Sequence, residues 1–188
     1  MMIQTVFAFV LAAGFFVVEP FMRKGTTAKS LKTTSSDKGS SILIVVMFWV
    51  VIILPLLLNF FRVGQIALSI VMWFGVLMML SGLALRIWSM RVLGEYYTRT
   101  LRVTERQVIV TQGPYRMIRH PGYLGVICLW IGFGLAIGNW IATIVMAILL
   151  LGVYGYRIRS EEAMLVDRFG EEYQKYRKQT WRLIPFVF

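Results

Sequence analysis

The chain has 188 residues, of which 58% are hydrophobic and only 15% are charged. A soluble domain of this size carries about 25% charged residues, so the composition excludes an ordinary soluble protein and indicates an integral membrane protein. The net charge of +11 at pH 7 would suggest nucleic acid in a soluble chain. Here the basic residues lie in short segments between apolar runs, which favours membrane topology and anionic lipids over a nucleic-acid partner.

The first three apolar runs predict three membrane spans. Residues 2–18 form the first span, which we expect to be retained, because a cleaved signal peptide would have a basic segment ahead of its apolar run. A polar loop at 23–40 leads to a second span at 41–61, which contains Pro55. The third span is predicted at 65–85.

A long polar segment, 86–120, leads into the last apolar run, 123–156. Gly138 and Asn139 divide this run into two pieces of about sixteen or seventeen residues, each of which reaches roughly 24–26 Å as a helix. That length is slightly short of a ~30 Å hydrocarbon core. We therefore predict a helical hairpin that returns the chain to the side from which it entered.

The fold class predicted is all-α: a polytopic membrane protein with about five transmembrane helices and no Rossmann fold. The whole chain, 1–188, forms one integral membrane domain, with N-terminal spans in 1–64 and a core in 65–188. In the third span, Gly75 and Gly82 are candidates for close helix contact.

The distribution of basic residues predicts the topology. The 23–40 loop carries five basic residues and one acid, and the 86–122 segment carries seven arginines and two glutamates. The 157–188 tail carries seven basic and five acidic residues, whereas the opposite turns carry only Arg62. Five spans place the three basic segments on one face, which the positive-inside rule makes cytoplasmic. The N-terminus is then outside and the C-terminus cytoplasmic.

The tail after Glu161 has apolar residues at helical spacing between charged ones. This pattern predicts an amphipathic helix, broken or bent near Gly170. Such a helix could lie on the membrane surface, or it could fold back over the segment around His120.

Two polar clusters flank the predicted hairpin. The first reads G-P-Y-R-M-I-R-H-P-G-Y-L-G from Gly113 to Gly125 and contains His120, the only histidine. The second reads Y-R-I-R-S-E-E from Tyr156 to Glu162. Because both ends of a hairpin lie on the same side of the membrane, we expect the two clusters to meet.

Each polar group in these clusters has a possible ligand and a possible structural role. Pro121 suits the first position of a helix, whose N–H groups favour an anion, and Arg119 offers a planar fork to the same partner. Glu161 and Glu162 could accept hydrogen bonds from ribose hydroxyls or attract a cation. The arginines could equally snorkel at helix ends, and the acids could complement a helix N-terminus. These residues alone predict a polar cytoplasmic pocket but no reaction.

The spacing of the two clusters resembles the cofactor-binding signature of the isoprenylcysteine carboxyl methyltransferase family. The positions that carry the resemblance are Gly113, Tyr115, Arg119, His120, Pro121, Tyr123, Glu161 and Glu162. The ending is similar too, with F-G-E-E-Y-x-x-Y from Phe169 to Tyr176 and L-I-P at 183–185. The resemblance covers roughly residues 80–188, whereas 1–64 is similar in hydropathy only.

This resemblance implies a membrane methyltransferase that uses S-adenosyl-L-methionine. The implied cofactor-binding residues are Tyr115, Arg119, His120, Pro121, Tyr123, Gly125, Glu161 and Glu162. Arg157 matches the family pattern and is assigned a catalytic role. Arg99 is assigned one from its charge and its position in the connecting loop, where Arg102 is an equivalent candidate. No metal site is predicted.

The mechanism expected from such a donor is one of positioning and exclusion of water. A carboxylate acceptor, with a pKa of about 3.5, is already ionised at neutral pH and needs no base. We expect a lipophilic small molecule or a prenylated acceptor whose apolar part enters laterally from the bilayer. Methylation of a lipid amine or a thiol remains open.

Two other functions also remain open. Membrane reductases of the sterol-reductase type look similar in this region and bind NADPH, although adjacent glutamates would repel a 2′-phosphate. A non-enzymatic transporter or scaffold would need an ionisable residue that faces a path inside the membrane. The predicted apolar helices contain none beyond Glu19 at one end.

Overall fold

The computed structural model describes residues 3–22, 39–97 and 108–185, and in these ranges it contains six α-helices and two short 3-10 helices. The α-helices are α1 (Ile3–Met22), α2 (Ser40–Phe60), α3 (Ser69–Leu93), α4 (Pro121–Ala136), α5 (Trp140–Phe169) and α6 (Glu171–Gln179). The 3-10 helices are Gly94–Tyr96 and Gly113–Arg116. The predicted all-α class is confirmed.

Four of the helices, α1, α2, α3 and α5, are long and apolar enough to cross a membrane. Helix α4 is also apolar but has only 16 residues, which corresponds to about 24 Å. It is the short first arm of the predicted hairpin. Eleven of its residues are buried, so α4 forms the centre of the bundle. The chain is thus an integral membrane protein, and its described residues contain five apolar helices, one of them short.

Helix α3 is longer than the predicted third span. The prediction that a polar segment begins at residue 86 is wrong, because α3 continues to Leu93 and ends at Gly94, which has a φ of 58°. Arg86 can remain in the helix because a carboxylate from α1 pairs with it, as described below. The start of α3 also differs, at Ser69 rather than residue 65.

Helix α5 extends past the predicted end of the hairpin. Glu161 and Glu162 do not begin a separate tail helix, because α5 runs without interruption to Phe169. The predicted break near Gly170 is confirmed: this residue has a φ of 53° and separates α5 from α6. The two glutamates are therefore held on a rigid helix that begins on the other side of the bundle.

The turn of the hairpin is fixed by Asn139, which is fully buried. Its Oδ1 accepts a hydrogen bond from the Ala142 N–H at 2.9 Å and so caps α5. Its Nδ2 donates to Asn59 Oδ1 at 3.0 Å and to the Val63 carbonyl at 2.8 Å. These bonds hold the hairpin turn against the turn between α2 and α3, and the break predicted at Gly138 and Asn139 is confirmed.

Helices α3 and α4 are in direct backbone contact through two pairs of glycines. A Cβ on Gly82 would lie 2.6 Å from the Gly125 carbonyl oxygen, and a Cβ on Gly75 would lie 2.7 Å from that of Gly132. The predicted close contact at Gly75 and Gly82 is confirmed, and its partner is α4. This contact fixes the start of α4, where the first polar cluster lies, relative to α3.

Replacing Gly82 with alanine is expected to destabilise the protein by about 1–3 kcal/mol, because the added methyl group meets backbone atoms that cannot rotate away. Gly152 is the matched control: a Cβ added there meets nothing within 4 Å, so alanine should be neutral or slightly stabilising. The free energy of unfolding in detergent micelles measures both effects. Equal stability of the two variants would contradict this packing.

Candidate functional site

The two polar clusters meet at the open end of the hairpin. His120 Nε2 lies 3.4 Å from Glu162 Oε1, and the Tyr123 hydroxyl donates a hydrogen bond to Glu161 Oε2 at 2.6 Å. These contacts join residues that are about forty positions apart in the chain. The expectation that a hairpin brings the clusters together is confirmed.

His120 lies immediately before α4, with Pro121 as the first helical residue. Its imidazole stacks on the Tyr123 ring, with the ring centroids 5.6 Å apart and the planes 6° from parallel. Its Nδ1 is 3.8 Å from Glu161 Oε2, so the ring lies between the two glutamates. The first turn of α4 has no side-chain cap, which leaves the positive end of its dipole at the site.

Glu162 is surrounded by basic groups. Its Oε1 accepts a hydrogen bond from Arg119 Nε at 2.7 Å, and its Oε2 lies 3.2 Å from Arg182 Nε and 3.9 Å from Arg177 Nε. With His120 beside it, this carboxylate faces four basic side chains, and only 6% of it is exposed. Its geometry suits a residue that holds the site together.

Glu161 differs from its neighbour in exposure. A quarter of its side chain is accessible, and the Tyr123 hydroxyl is its hydrogen-bond donor. The same hydroxyl accepts a hydrogen bond from Arg157 Nε at 3.3 Å. Of the two acids, Glu161 is therefore the one with carboxylate surface left for a ligand.

Arg119 connects the first cluster to the C-terminal segment. Its Nη1 donates to the carbonyl of Arg177 at 3.0 Å and to that of Thr180. Its backbone N–H donates to the Trp181 carbonyl at 2.8 Å, and the Trp181 N–H donates to the Met117 carbonyl at 2.9 Å. The tail therefore folds back over the segment around His120. This is the second of the two arrangements that the sequence left open.

The backbone of Tyr115 also contacts the C-terminal segment. The Tyr176 hydroxyl donates to the Tyr115 carbonyl at 2.7 Å, and Tyr173 is buried beside Tyr176. Burial raises the pKa of the Tyr115, Tyr173 and Tyr176 hydroxyls above their ordinary range. All three are therefore neutral at physiological pH, and the Tyr176 hydroxyl remains a donor to the tail contact.

Not every predicted site residue lies at this cluster. Gly125 faces α3, where its missing side chain is explained by backbone packing against Gly82 and Arg86. Arg99 and Arg102 lie outside the described residues. Arg157 does lie at the cluster and is 3% exposed.

A second ion pair, between buried Arg86 and half-buried Glu19, lies next to the site and was not foreseen. Arg86 on α3 contacts Glu19 on α1, with Nη2 and Oε1 2.7 Å apart and Nε and Oε2 3.2 Å apart. Arg86 Nη1 also donates to the Gly122 carbonyl in the first turn of α4 at 3.1 Å, and its guanidinium lies 4.9 Å from the centre of the Tyr97 ring. The pair thus attaches α1 to the part of α4 that carries the site.

Changing Glu19 to Gln is expected to cost about 1.5–3 kcal/mol, because the buried Arg86 keeps its charge and loses its counter-ion. The matched control is a double variant, Glu19→Leu with Arg86→Met, which removes both charges and should recover part of the loss. Thermal unfolding in detergent is the measurement. A stability unchanged by Glu19→Gln would show that the pair contributes nothing.

The fold and this cluster together define a class: an all-helical membrane protein with a polar site at the mouth of a short helical hairpin. Residues 75–167 match the family model of the isoprenylcysteine carboxyl methyltransferase (ICMT) family. The resemblance expected from the motifs is therefore confirmed.

Several known proteins are similar to the chain. The protein-S-isoprenylcysteine O-methyltransferase of Schizosaccharomyces pombe is 36% identical over 80 residues, which are 43% of this chain and 34% of that protein. A probable protein-S-isoprenylcysteine O-methyltransferase of Oryza sativa subsp. indica is 29% identical over 121 residues, 61% of this chain and 63% of that protein. In both comparisons the chain spans less than two thirds of its relative.

A solved structure has a similar fold. The structure of a eukaryotic intramembrane Ras methyltransferase, ICMT, superposes on 97% of this chain and 63% of its own, with a TM-score of 0.63 and 22% sequence identity. The likeness extends to α1 and α2, which lie outside the matched residues 75–167.

Proposed function

We propose that the chain is a membrane methyltransferase that uses S-adenosyl-L-methionine to methylate the carboxylate of an isoprenylcysteine-like or other lipophilic acceptor. The observation that carries the proposal is the convergence of His120 and Tyr123 with Glu161 and Glu162 at one end of the hairpin. The names of the similar proteins, which are O-methyltransferases, support the reaction type.

The residues at the cluster fit the chemistry of this cofactor. S-adenosyl-L-methionine carries a sulfonium and an ammonium group, a carboxylate, and two ribose hydroxyls. The accessible carboxylate of Glu161 can accept from the hydroxyls or attract the ammonium group. The uncapped start of α4 at Pro121 can receive the carboxylate of the cofactor. When bound, the cofactor supplies a methyl group already activated by its positive sulfur.

The side chains around the cofactor have positioning roles in this proposal. Glu162, Arg119 and the tail hold His120 and the start of α4 in place. Tyr123 fixes the Glu161 carboxylate. Well-oriented reactants gain about 7–11 kcal/mol from orientation alone. No proton transfer is needed, because a carboxylate acceptor is already ionised at neutral pH.

Arg157 is the proposed partner of the acceptor carboxylate. It is buried beside Tyr123, within hydrogen-bond distance of the hydroxyl that contacts Glu161. A guanidinium there can attract a carboxylate and donate charge-assisted hydrogen bonds to it. Arg99 remains a second proposed catalytic residue, on the charge and sequence position already given.

The proposed orientation places this site on the cytoplasmic side. In the five-span topology predicted from the sequence, the basic segments share the side of the membrane that carries both ends of the hairpin, and the positive-inside rule makes that side cytoplasmic. The apolar part of the acceptor would enter between helices from the bilayer, so that its carboxylate reaches the site at the membrane surface.

The test is transfer of a radiolabelled methyl group. Purified protein is incubated with methyl-labelled S-adenosyl-L-methionine and N-acetyl-S-farnesylcysteine, and the product is treated with base. The proposal predicts label that base releases as methanol, as from a methyl ester. Label that survives base, or no transfer to N-acetyl-S-farnesylcysteine, would contradict methylation of the acceptor carboxylate.

A further inference from the structure

Helix α2 begins with two serines whose hydroxyls face α5. The chain turns into α2 at Gly39, which has a φ of 77°, and the Gly39 carbonyl accepts hydrogen bonds from the Ile42 and Leu43 N–H groups at 3.1 Å. The hydrogen bonds of α2 therefore begin at the Gly39 carbonyl, directly before Ser40 and Ser41.

Both hydroxyls accept hydrogen bonds from one atom of α5. Arg157 Nη1 donates to Ser40 Oγ at 2.8 Å and to Ser41 Oγ at 3.0 Å. Ser40 is fully buried, and Arg157 is 3% exposed. The Nε of the same guanidinium reaches the Tyr123 hydroxyl, which donates to Glu161. One hydrogen-bonded chain thus crosses α2, α5 and α4 and ends at the proposed cofactor site.

The charge of Arg157 lies in an unfavourable position relative to the dipole of α2. A guanidinium beside the start of α2 lies at the positive end of the helix dipole, where cations are disfavoured. A basic residue placed for helix stability would lie at the other end. The serine oxygens supply the partial negative charge that makes the position tolerable for Arg157, and they fix both N–H groups of its Nη1 in direction.

We infer that Ser40 and Ser41 are positioning residues that orient Arg157 toward the acceptor carboxylate. Helix α2, which lies outside the matched residues 75–167, is then part of the active site. The inference rests on the proposed function, in which Arg157 receives that carboxylate. Without the two hydroxyls, the guanidinium loses both hydrogen bonds that fix its Nη1, so it is less well oriented for an acceptor.

The experiment compares serine variants in the full chain. The double variant Ser40→Ala with Ser41→Ala should raise the KM for N-acetyl-S-farnesylcysteine by about tenfold, the effect expected for lost hydrogen bonds to a charged group. The Kd for S-adenosylhomocysteine should be unchanged, because Glu161 and the start of α4 are intact. Ser41→Thr keeps a hydroxyl and should retain the wild-type KM.

Ser89 provides the matched control, since it is buried and its hydroxyl donates to the Leu85 carbonyl of its own helix at 2.7 Å. Ser89→Ala should leave the KM unchanged. The single variant Ser41→Ala, at a half-buried position, should show a smaller rise in KM. It replaces the double variant in the test if the double variant folds poorly.

Three outcomes would overturn the inference. An unchanged KM in folded serine variants would show that Arg157 needs no such support. A parallel loss of acceptor binding, S-adenosylhomocysteine binding and thermal stability would show a merely structural contact. A wild-type protein that does not methylate the acceptor but binds S-adenosylhomocysteine would instead remove the proposed substrate, and with it this role of the serines.

Discussion

Replacement of Glu162 by alanine is expected to destabilise the protein by about 3–5 kcal/mol, the largest stability effect that the site predicts. Its partner Arg119 is 7% exposed at the side chain and would be left with a buried charge. Arg182 and His120 would lose the same carboxylate. The change in the free energy of unfolding, measured in detergent micelles, gives the effect.

The matched control for this variant is Glu172→Ala. Glu172 is an exposed glutamate on α6, so its replacement should change stability by less than about 0.5 kcal/mol. Loss of Glu162 should also free the tail, since Arg119 and Arg182 connect Glu162 to residues 180–182. Proteolysis of the tail should therefore be faster in Glu162→Ala. Similar stability for Glu162→Ala and Glu172→Ala would contradict the proposed role of this carboxylate.

Replacement of Glu161 by glutamine is expected to weaken S-adenosylhomocysteine binding by about 10–100-fold while leaving stability nearly unchanged. The amide keeps an oxygen that can accept from Tyr123 but loses the charge that would attract the ligand ammonium group. Calorimetric titration of the purified variant measures the affinity.

The two neighbouring acids are expected to act differently. Glu161 should affect the ligand, and Glu162 should affect mainly the fold, because a quarter of one side chain and only 6% of the other is exposed. Glu171→Gln, at an exposed position on α6, is the control and should bind as the wild type does. If Glu161→Gln binds with wild-type affinity, this acid does not line the cofactor pocket.

The sequence was sufficient to predict the features that depend on local pattern. Long apolar runs predict the helices, and the break at Gly138 and Asn139 predicts the hairpin. A hairpin has its two ends on one side, so the meeting of His120 with Glu162 followed from topology without any knowledge of packing. The break at Gly170 was predicted from the glycine itself, because glycine readily adopts the positive φ that ends a helix.

Features that depend on packing between distant helices could not be predicted in this way. Glu19 was visible as an acid at the end of a span, but its pairing with Arg86 requires α1 to lie against α3. Gly75 and Gly82 were visible as small residues, but nothing local identifies α4 as the helix that they contact.

The two arginines of the C-terminal segment are a further example. Arg177 and Arg182 lie in a basic tail whose charges suit any membrane surface, so their approach to Glu162 has no local signature. Ser40 and Ser41 lie where the predicted polar loop 23–40 meets the second span, next to a segment that is rich in serine and threonine. Only the position of α5 distinguishes these two serines from the others.

We propose that two polar segments, one before and one after the hairpin in the sequence, together bind a methyl donor. Calorimetric titration of the purified wild-type protein in detergent, with S-adenosylhomocysteine and separately with NADPH, tests it most directly. We expect saturable one-to-one binding of S-adenosylhomocysteine and no binding of NADPH. Binding of NADPH alone, or of neither compound by a folded protein, would contradict it.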